Sequence, residues 1–172
     1  MDLHLKNKTA LITGGTKGIG YAIAETLASE GANLILVART THDLKLSADQ
    51  LMKKYNIEVK TIAADLSSSK TLPALLTHAN DIDIVINNAG AIPGGNINDV
   101  DELSWRQSWD LKVYGYINLT RAFFQAMKKN NKKGVIINIT GVAALKIDAN
   151  YIAGSSANAS LEAFTRAAGA YS

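Results

Sequence analysis

Thr13-Gly14-Gly15-Thr16-Lys17-Gly18-Ile19-Gly20 follows the apolar run Thr9-Ala10-Leu11-Ile12 and leads directly into Tyr21-Ala22-Ile23-Ala24-Glu25-Thr26-Leu27-Ala28. Strand, glycine turn and helix in that order form the entrance of a βαβ dinucleotide site. Gly14 and Gly18 remove side chains where backbone must approach a pyrophosphate, and Gly20 lets helix and strand pack closely. Thr16, Lys17 and Ile19 complete the turn, so the phosphates meet free N–H groups and the positive end of the helix dipole. A Walker-type phosphate loop is excluded, because no Gly-Lys-Ser/Thr follows the last glycine.

The same alternation continues outward from that turn. Short apolar runs at Ala10–Ile12, Leu34–Val37, Val59–Ala63, Ile82–Ile86 and Val135–Ile139 read as strands. Their continuous apolar character predicts burial on both faces, as in a parallel sheet between two helical layers. Helical patterns fall at Gly20–Ser29, His42–Lys54, Thr71–His78, a long stretch near Ser104–Lys129, and roughly Ser155–Ala168. The expected fold is α/β, a doubly wound parallel sheet of strand order 3-2-1-4-5 in one domain over residues 1–172.

Composition narrows the function classes. The 172 residues, 47% apolar and 19% charged, suit a globular domain able to bury a core. A net charge of +3 suits an anionic ligand but gives no nucleic-acid signature. There are no cysteines, which excludes disulfides and thiolate chemistry and fits a cytoplasmic location. No apolar run is long enough to cross a membrane, and Met1-Asp2-Leu3-His4-Leu5-Lys6 lacks the apolar stretch of a signal peptide. His4, His42 and His78 lack metal-ligand spacing, so no metal is expected.

Taken together, the glycine turn, Asp65-Leu66 after the third strand and Asn87-Asn88-Ala89-Gly90 after the fourth resemble the short-chain dehydrogenase/reductase family, with its Rossmann fold. The resemblance implies that Asp65 holds the adenine amino group and that Leu66 contacts the ring through its backbone. It also implies that Asn88, Ala89 and Gly90 line the ribose and nicotinamide side. An NADP(H)-dependent oxidoreductase acting on a carbonyl/alcohol pair is the function it points to.

Cofactor choice is legible at the end of the second strand. An NAD enzyme needs a carboxylate there for the ribose 2′-OH. That slot is Ala38, with Arg39 beside it and Lys17 in the turn. A guanidinium without an acid favours a 2′-phosphate, hence NADP(H) over NAD(H).

The catalytic positions depart from the resemblance. Family members use a tyrosine as proton donor, a lysine four residues on, a serine after the fifth strand and an asparagine in the long helix. In an ungapped frame from Asn138 to Arg166 the serine slot is Gly141, the tyrosine slot Gly154 and the lysine slot Asn158. The asparagine slot, placed from Trp105 and Gly115, is Lys112. Tyr151, three residues before its slot, is the candidate substitute acid, and Thr140 is expected to point to the opposite face of its strand. Whether Lys112 enters the cleft or lies on the surface stays open. The altered set leaves two readings: an oxidoreductase with a non-standard or impaired site, or a non-catalytic NADP(H)-binding regulatory or structural partner.

Two expectations concern the rest of the molecule. The chain reaches Gly169-Ala170-Tyr171-Ser172 at the last helix, so the C-terminal part of the family fold, with the segment that selects substrate, is expected to be absent. The strand Val135–Ile139 is then an apolar open edge. Trp109, Tyr116, Leu119 and Phe123 carry more apolar surface than one helical face needs. With Leu161, Phe164, Ala157 and Ala168 they predict a homodimer or homotetramer.

Overall fold

The computed structural model describes residues 3–171; Met1, Asp2 and Ser172, the ends of the expected domain, lie outside the described residues. The Val- and Ile-rich runs form five parallel strands: β1 (Thr9–Thr13), β2 (Asn33–Ala38), β3 (Val59–Ala63), β4 (Ile84–Asn87) and β5 (Val135–Asn138). Their order is β3-β2-β1-β4-β5, the doubly wound arrangement expected from the sequence. The register sets Thr13 opposite Val37, and Asn87 opposite Asn138, so the strand ends line up along one edge.

Burial on both faces holds for the inner strands and fails at the edges. Four of five residues in β1 and four of six in β2 are buried. β3 exposes Lys60, Thr61 and Ala63, and β5 alternates, leaving Val135 and Ile137 53% and 42% exposed. Each edge strand has a single neighbour, so part of its surface stays in water.

Helices α1 (Gly18–Ser29) and α2 (Thr41–Lys54) cover one face, packing Ala24, Ala28, Leu44 and Leu51 against Ala10, Ile12, Leu34 and Leu36. The opposite face holds α3 (Leu72–Leu76) and α5 (Gly115–Lys129), whose Leu75, Leu119 and Phe123 meet Leu11, Ile35 and Val85. Each such side chain, fully buried, contributes about 1.5–3 kcal/mol. Tyr116, Leu119, Phe123, Ala157 and Leu161 are all 1% exposed or less, which corrects their expected role as an association face. Their apolar surface is spent within the chain's own core.

The long helical stretch is not one helix. Asp101 caps α4 (Glu102–Trp109), its carboxylate accepting from the Ser104 N–H at 2.8 Å. A π-helical turn, Asp110–Tyr114, then intervenes before α5. Two contacts accompany it: the Trp109 indole donates to the Ala153 carbonyl at 3.3 Å, and Gly115 lies against the Leu66 carbonyl, where a Cβ would come within 3.0 Å. A π turn inserts a residue and rotates the side chains that follow, a common device at functional sites. Here it carries Lys112. The last helix, α6 (Ile152–Gly169), starts three residues earlier than expected, immediately after Tyr151.

Candidate active site

The aligned strand ends open onto a cleft of about 530 Å³. Its walls come from the glycine turn after β1, Ala38-Arg39 after β2, Leu66, the 88–92 loop, the π turn, residues 139–141 and the start of α6.

The turn has the form the sequence requires. Gly14 and Gly18 adopt φ of +66° and +55°, values that disfavour a side chain. A Cβ on Gly20 would collide with the Gly14 carbonyl and lie 2.5 Å from the Asn88 amide nitrogen, so α1 approaches β1 as closely as backbone allows. The first turn of α1 holds no acidic residue to oppose an anion there.

Thr13 is a residue that sequence reasoning missed. Its hydroxyl, fully buried, accepts from the backbone N–H groups of Asn88 and Ala89 at 2.9 and 3.0 Å and donates to the Ile86 carbonyl. Asn88 in turn donates from its side chain to the carbonyls of Thr13 and Gly14 at 3.0 and 3.3 Å. The two motifs therefore brace each other. Asn87 points elsewhere, donating to Asn138 of β5 at 2.8 Å and to Thr120 of α5 at 3.2 Å.

Of the residues singled out in the sequence, Gly14, Thr16, Lys17, Ile19, Arg39, Leu66, Asn88, Ala89, Gly90, Lys112, Gly141, Tyr151 and Asn158 line this cleft. Gly18, Gly20, Asp65 and Gly154 support it from outside the lining. The Asp65 carboxylate accepts from the Ser67 N–H at 3.0 Å and the Ser67 hydroxyl at 2.8 Å. Those bonds, with a smaller contribution from Arg39, hold it below the usual carboxylate range. Thr140 lines the cleft, contrary to the alternation argument, because β5 ends at Asn138 and strand periodicity no longer governs it.

Three of the altered positions form one hydrogen-bonded unit. Asn158, 3% exposed, accepts from the Gly141 N–H at 2.9 Å and donates to the Gly154 carbonyl at 2.8 Å. The Tyr151 ring fills the space beside Gly154 that a Cβ there would need. Tyr151 itself is fixed by a parallel bridge to Gly95, with the Ile152 N–H donating to the Gly95 carbonyl at 3.2 Å.

Lys112 enters the cleft, which resolves the alternative left open by the sequence. Its ammonium donates to the Ile139 carbonyl at 2.8 Å and to the Tyr116 hydroxyl at 3.0 Å, which itself donates to Ile139 at 3.3 Å. The stem passes over Gly90, where a Cβ would stand 2.6 Å from Lys112 Cδ. Burial lowers the Lys112 amine to about 8 and raises the Tyr116 phenol. Among the described residues no cluster of acidic, histidine or cysteine side chains could hold a metal ion.

Comparison with known proteins agrees with this architecture. The short chain dehydrogenase family model matches residues 8–170. An oxidoreductase of Bacillus subtilis, YvrD, is 36% identical over 149 residues, covering 85% of this chain and 56% of the relative. The 3-oxoacyl-[acyl-carrier-protein] reductase FabG of Aquifex aeolicus is 29% identical over 170 residues, covering 96% of this chain and 68% of the relative. Among solved structures, L-sorbose reductase from Gluconobacter frateurii, complexed with NADPH and L-sorbose, superposes with a TM-score of 0.88 at 30% identity. That match covers 95% of this chain and 64% of the reductase. The chain belongs to the short chain dehydrogenase family. It spans little more than half the length of the Bacillus relatives it matches.

Proposed function

We propose that this chain binds NADP(H) in the cleft and serves a carbonyl/alcohol oxidoreductase whose active site is non-standard. The observation that carries the reading is one continuous cleft joining Lys17 and Arg39 at one end to Lys112, Gly141 and Asn158 at the other. Its walls fit a dinucleotide: a side-chain-free turn, an unopposed helix N-terminus and, at the end of β2, Ala38-Arg39 in place of a carboxylate. Lys17 and Arg39 would hold the 2′-phosphate. The turn from Gly14 through Thr16, Gly18, Ile19 and Gly20 would take the pyrophosphate, Asp65 and Leu66 the adenine, and Asn88, Ala89 and Gly90 the ribose and nicotinamide side. L-sorbose reductase and a metagenomic short-chain oxidoreductase, 30% identical to this chain, are complexes with NADPH and NADP respectively, which supports the same preference here.

The usual proton donor is replaced. Gly141 and Gly154 offer only backbone groups, and Asn158 supplies no positive charge to activate a phenol. Turnover of simple ketones and aldehydes should therefore fall well below the ~10 s⁻¹ common for enzymes. A non-catalytic, NADP(H)-binding regulatory or structural partner is the second reading. It is favoured by Asn158, whose side chain already satisfies the backbone of two slots instead of facing a substrate.

Calorimetric titration with NADPH and NADH tests the site, followed by NADPH consumption with cyclohexanone and benzaldehyde. Tighter NADPH binding supports the cofactor reading, and failure to bind either nucleotide overturns it. Slow turnover favours the oxidoreductase, and binding without turnover favours the partner. Turnover near ~10 s⁻¹ by the unaltered protein would sink the claim of a non-standard site.

Residues 1–172 are further proposed as one dinucleotide-binding domain of a cytoplasmic homodimer or homotetramer. Leu103 in α4 and Tyr114 in the π turn, 65% and 53% exposed, are apolar groups available for such contact. Among the described residues no helix is long and apolar enough to cross a membrane.

A further inference from the structure

Two lysines line the cleft, and the cofactor reading uses Lys17 but not Lys112. Lys112 is half-buried, and its ammonium has two acceptors, the Ile139 carbonyl and the Tyr116 hydroxyl. Among the described residues neither its hydrogen bonds nor its ion pairs include a carboxylate; its other contact is the Tyr116 ring, 4.6 Å from Nζ to the centroid, so the charge lacks a counter-charge. The π turn and the missing side chain of Gly90 are what bring it there. A cation placed at that cost suits a ligand oxygen that is negative or becomes negative.

We infer that Lys112 holds and protonates the substrate oxygen in this cleft, in the role the altered tyrosine and serine slots have lost. The inference rests on the proposed NADP(H)-dependent reading. NADPH, when bound, supplies the hydride to the carbonyl carbon and becomes NADP⁺. The carbonyl π pair moves to oxygen, which takes a proton from Lys112 Nζ to give the alcohol. The neutral amine then regains a proton from solvent.

The surroundings set its titration. Tyr116 touches it from the same helical stretch, and Asp110 is exposed at the start of the π turn. Tyr151 comes from the start of α6, while Lys17, Arg39 and Asp43 line the distant end of the cleft. The 88–92 loop and residues 139–141 add no charged side chain. Burial without a neighbouring acid lowers the amine to about 8, where it can both give and regain a proton.

The test uses the whole chain and three variants: Lys112→Arg, Lys112→Met and Tyr151→Phe. NADPH binding by calorimetry is measured first and should change less than threefold in each; no binding by the unaltered chain refutes the cofactor reading itself. NADPH consumption with cyclohexanone and benzaldehyde should drop at least tenfold in both Lys112 variants, and by less in Tyr151→Phe than in either. Arginine keeps the charge but gives up no proton near neutrality, so it separates proton donation from simple attraction. The reduction rate should fall as pH rises through about 8, because the donor must be protonated. Acetic anhydride labelling read by mass spectrometry gives the second measure, with Lys112 modified at a midpoint near pH 8. Equal rates in the unaltered chain and Lys112→Met, zero included, overturn the inference. So does a labelling midpoint near the ordinary ~10.4 of lysine, or loss of turnover in Tyr151→Phe alone.

Discussion

Tyr151 and Gly154 share one volume: ring carbons of Tyr151 occupy the place that a Cβ on Gly154 would take. The phenol thus enters the region of the altered tyrosine slot from three residues upstream. The glycine is what admits it. Helix propensity alone favours alanine over glycine by about 1 kcal/mol. Overpacking against a half-buried ring costs about 1–3 kcal/mol and wins. Gly154→Ala should destabilise by about 1 kcal/mol in urea denaturation, and Tyr151→Ala in the same chain should restore it. Additive effects in that double-mutant cycle would refute the shared volume. Reintroducing a tyrosine at 154 likewise requires removing Tyr151 first.

The fold and the glycine-turn end of the cleft were legible because they depend on local signals. Glycines at 14, 18 and 20 encode a turn that only glycine forms, and the apolar runs encode buried strands. Strand order and the buried faces of the inner strands followed from those, whereas β3 and β5 are partly exposed at the sheet edges. The Lys112 end was less legible because its geometry comes from distant contacts. Nothing near Lys112 in sequence announces the π turn, whose accompanying contacts run to Ala153 and Leu66. Thr13 escaped notice because its partners, Asn88 and Ala89, lie more than 70 residues away. The apolar residues of α5 were misassigned to an external face because amphipathicity reports that a face is buried, not against what.

Asn158 should behave as a structural clamp. Asn158→Ala removes both the acceptor for the Gly141 N–H and the donor to the Gly154 carbonyl. Each such bond has a net worth of about 0.5–1.5 kcal/mol, so a loss of about 1–3 kcal/mol is expected. Amide hydrogen exchange at Gly141 should accelerate in the variant. Unchanged exchange there would show that the 139–141 segment is held by other means.

Arg39 and Lys17 are exposed, so their contribution to NADPH affinity should be screened by salt. Arg39→Asp should weaken NADPH binding about tenfold at low ionic strength and narrow or reverse the preference over NADH. At 0.5 M salt the difference between the unaltered chain and the variant should shrink. A preference for NADPH that survives the substitution unchanged would remove Arg39 from the site.

Among the described residues β5 lies at the sheet edge, and its exposed apolar side chains are an association hazard. Val135 and Ile137 are both substantially exposed on a strand with a single neighbour. Ile137→Lys should place a charge on that edge and raise the concentration at which aggregates first appear in light scattering. Fold stability should change little, since the residue is already 42% exposed. An unaltered onset would mean that self-association uses a different surface.

Lys112 should also leave a mark on stability. Its folded-state value of about 8 lies below the 10.5 of an unfolded lysine. Below pH 8 both states carry the proton, and the folded chain bears the full penalty of a half-buried cation. Between pH 8 and about 10 the unfolded chain keeps a proton that the folded chain has lost, so stability rises with pH. Tyr116 acts in the opposite sense above about pH 10: its raised value keeps the phenol protonated in the folded chain while the unfolded phenol ionises. The full shift corresponds to about 3 kcal/mol, and partial solvent exposure of the side chain reduces the expected effect to about 1–2 kcal/mol. Between pH 7 and about 10 the unaltered chain should therefore gain stability relative to Lys112→Met by that amount. The comparison cancels groups remote from position 112, while Tyr116, which Lys112 touches, acts only above that pH range. Urea denaturation at pH 7, 8, 9 and 10 reads it directly. A constant difference between the two chains across that range would mean that Lys112 titrates alike in both states, and that its ammonium is solvated rather than held in the cleft.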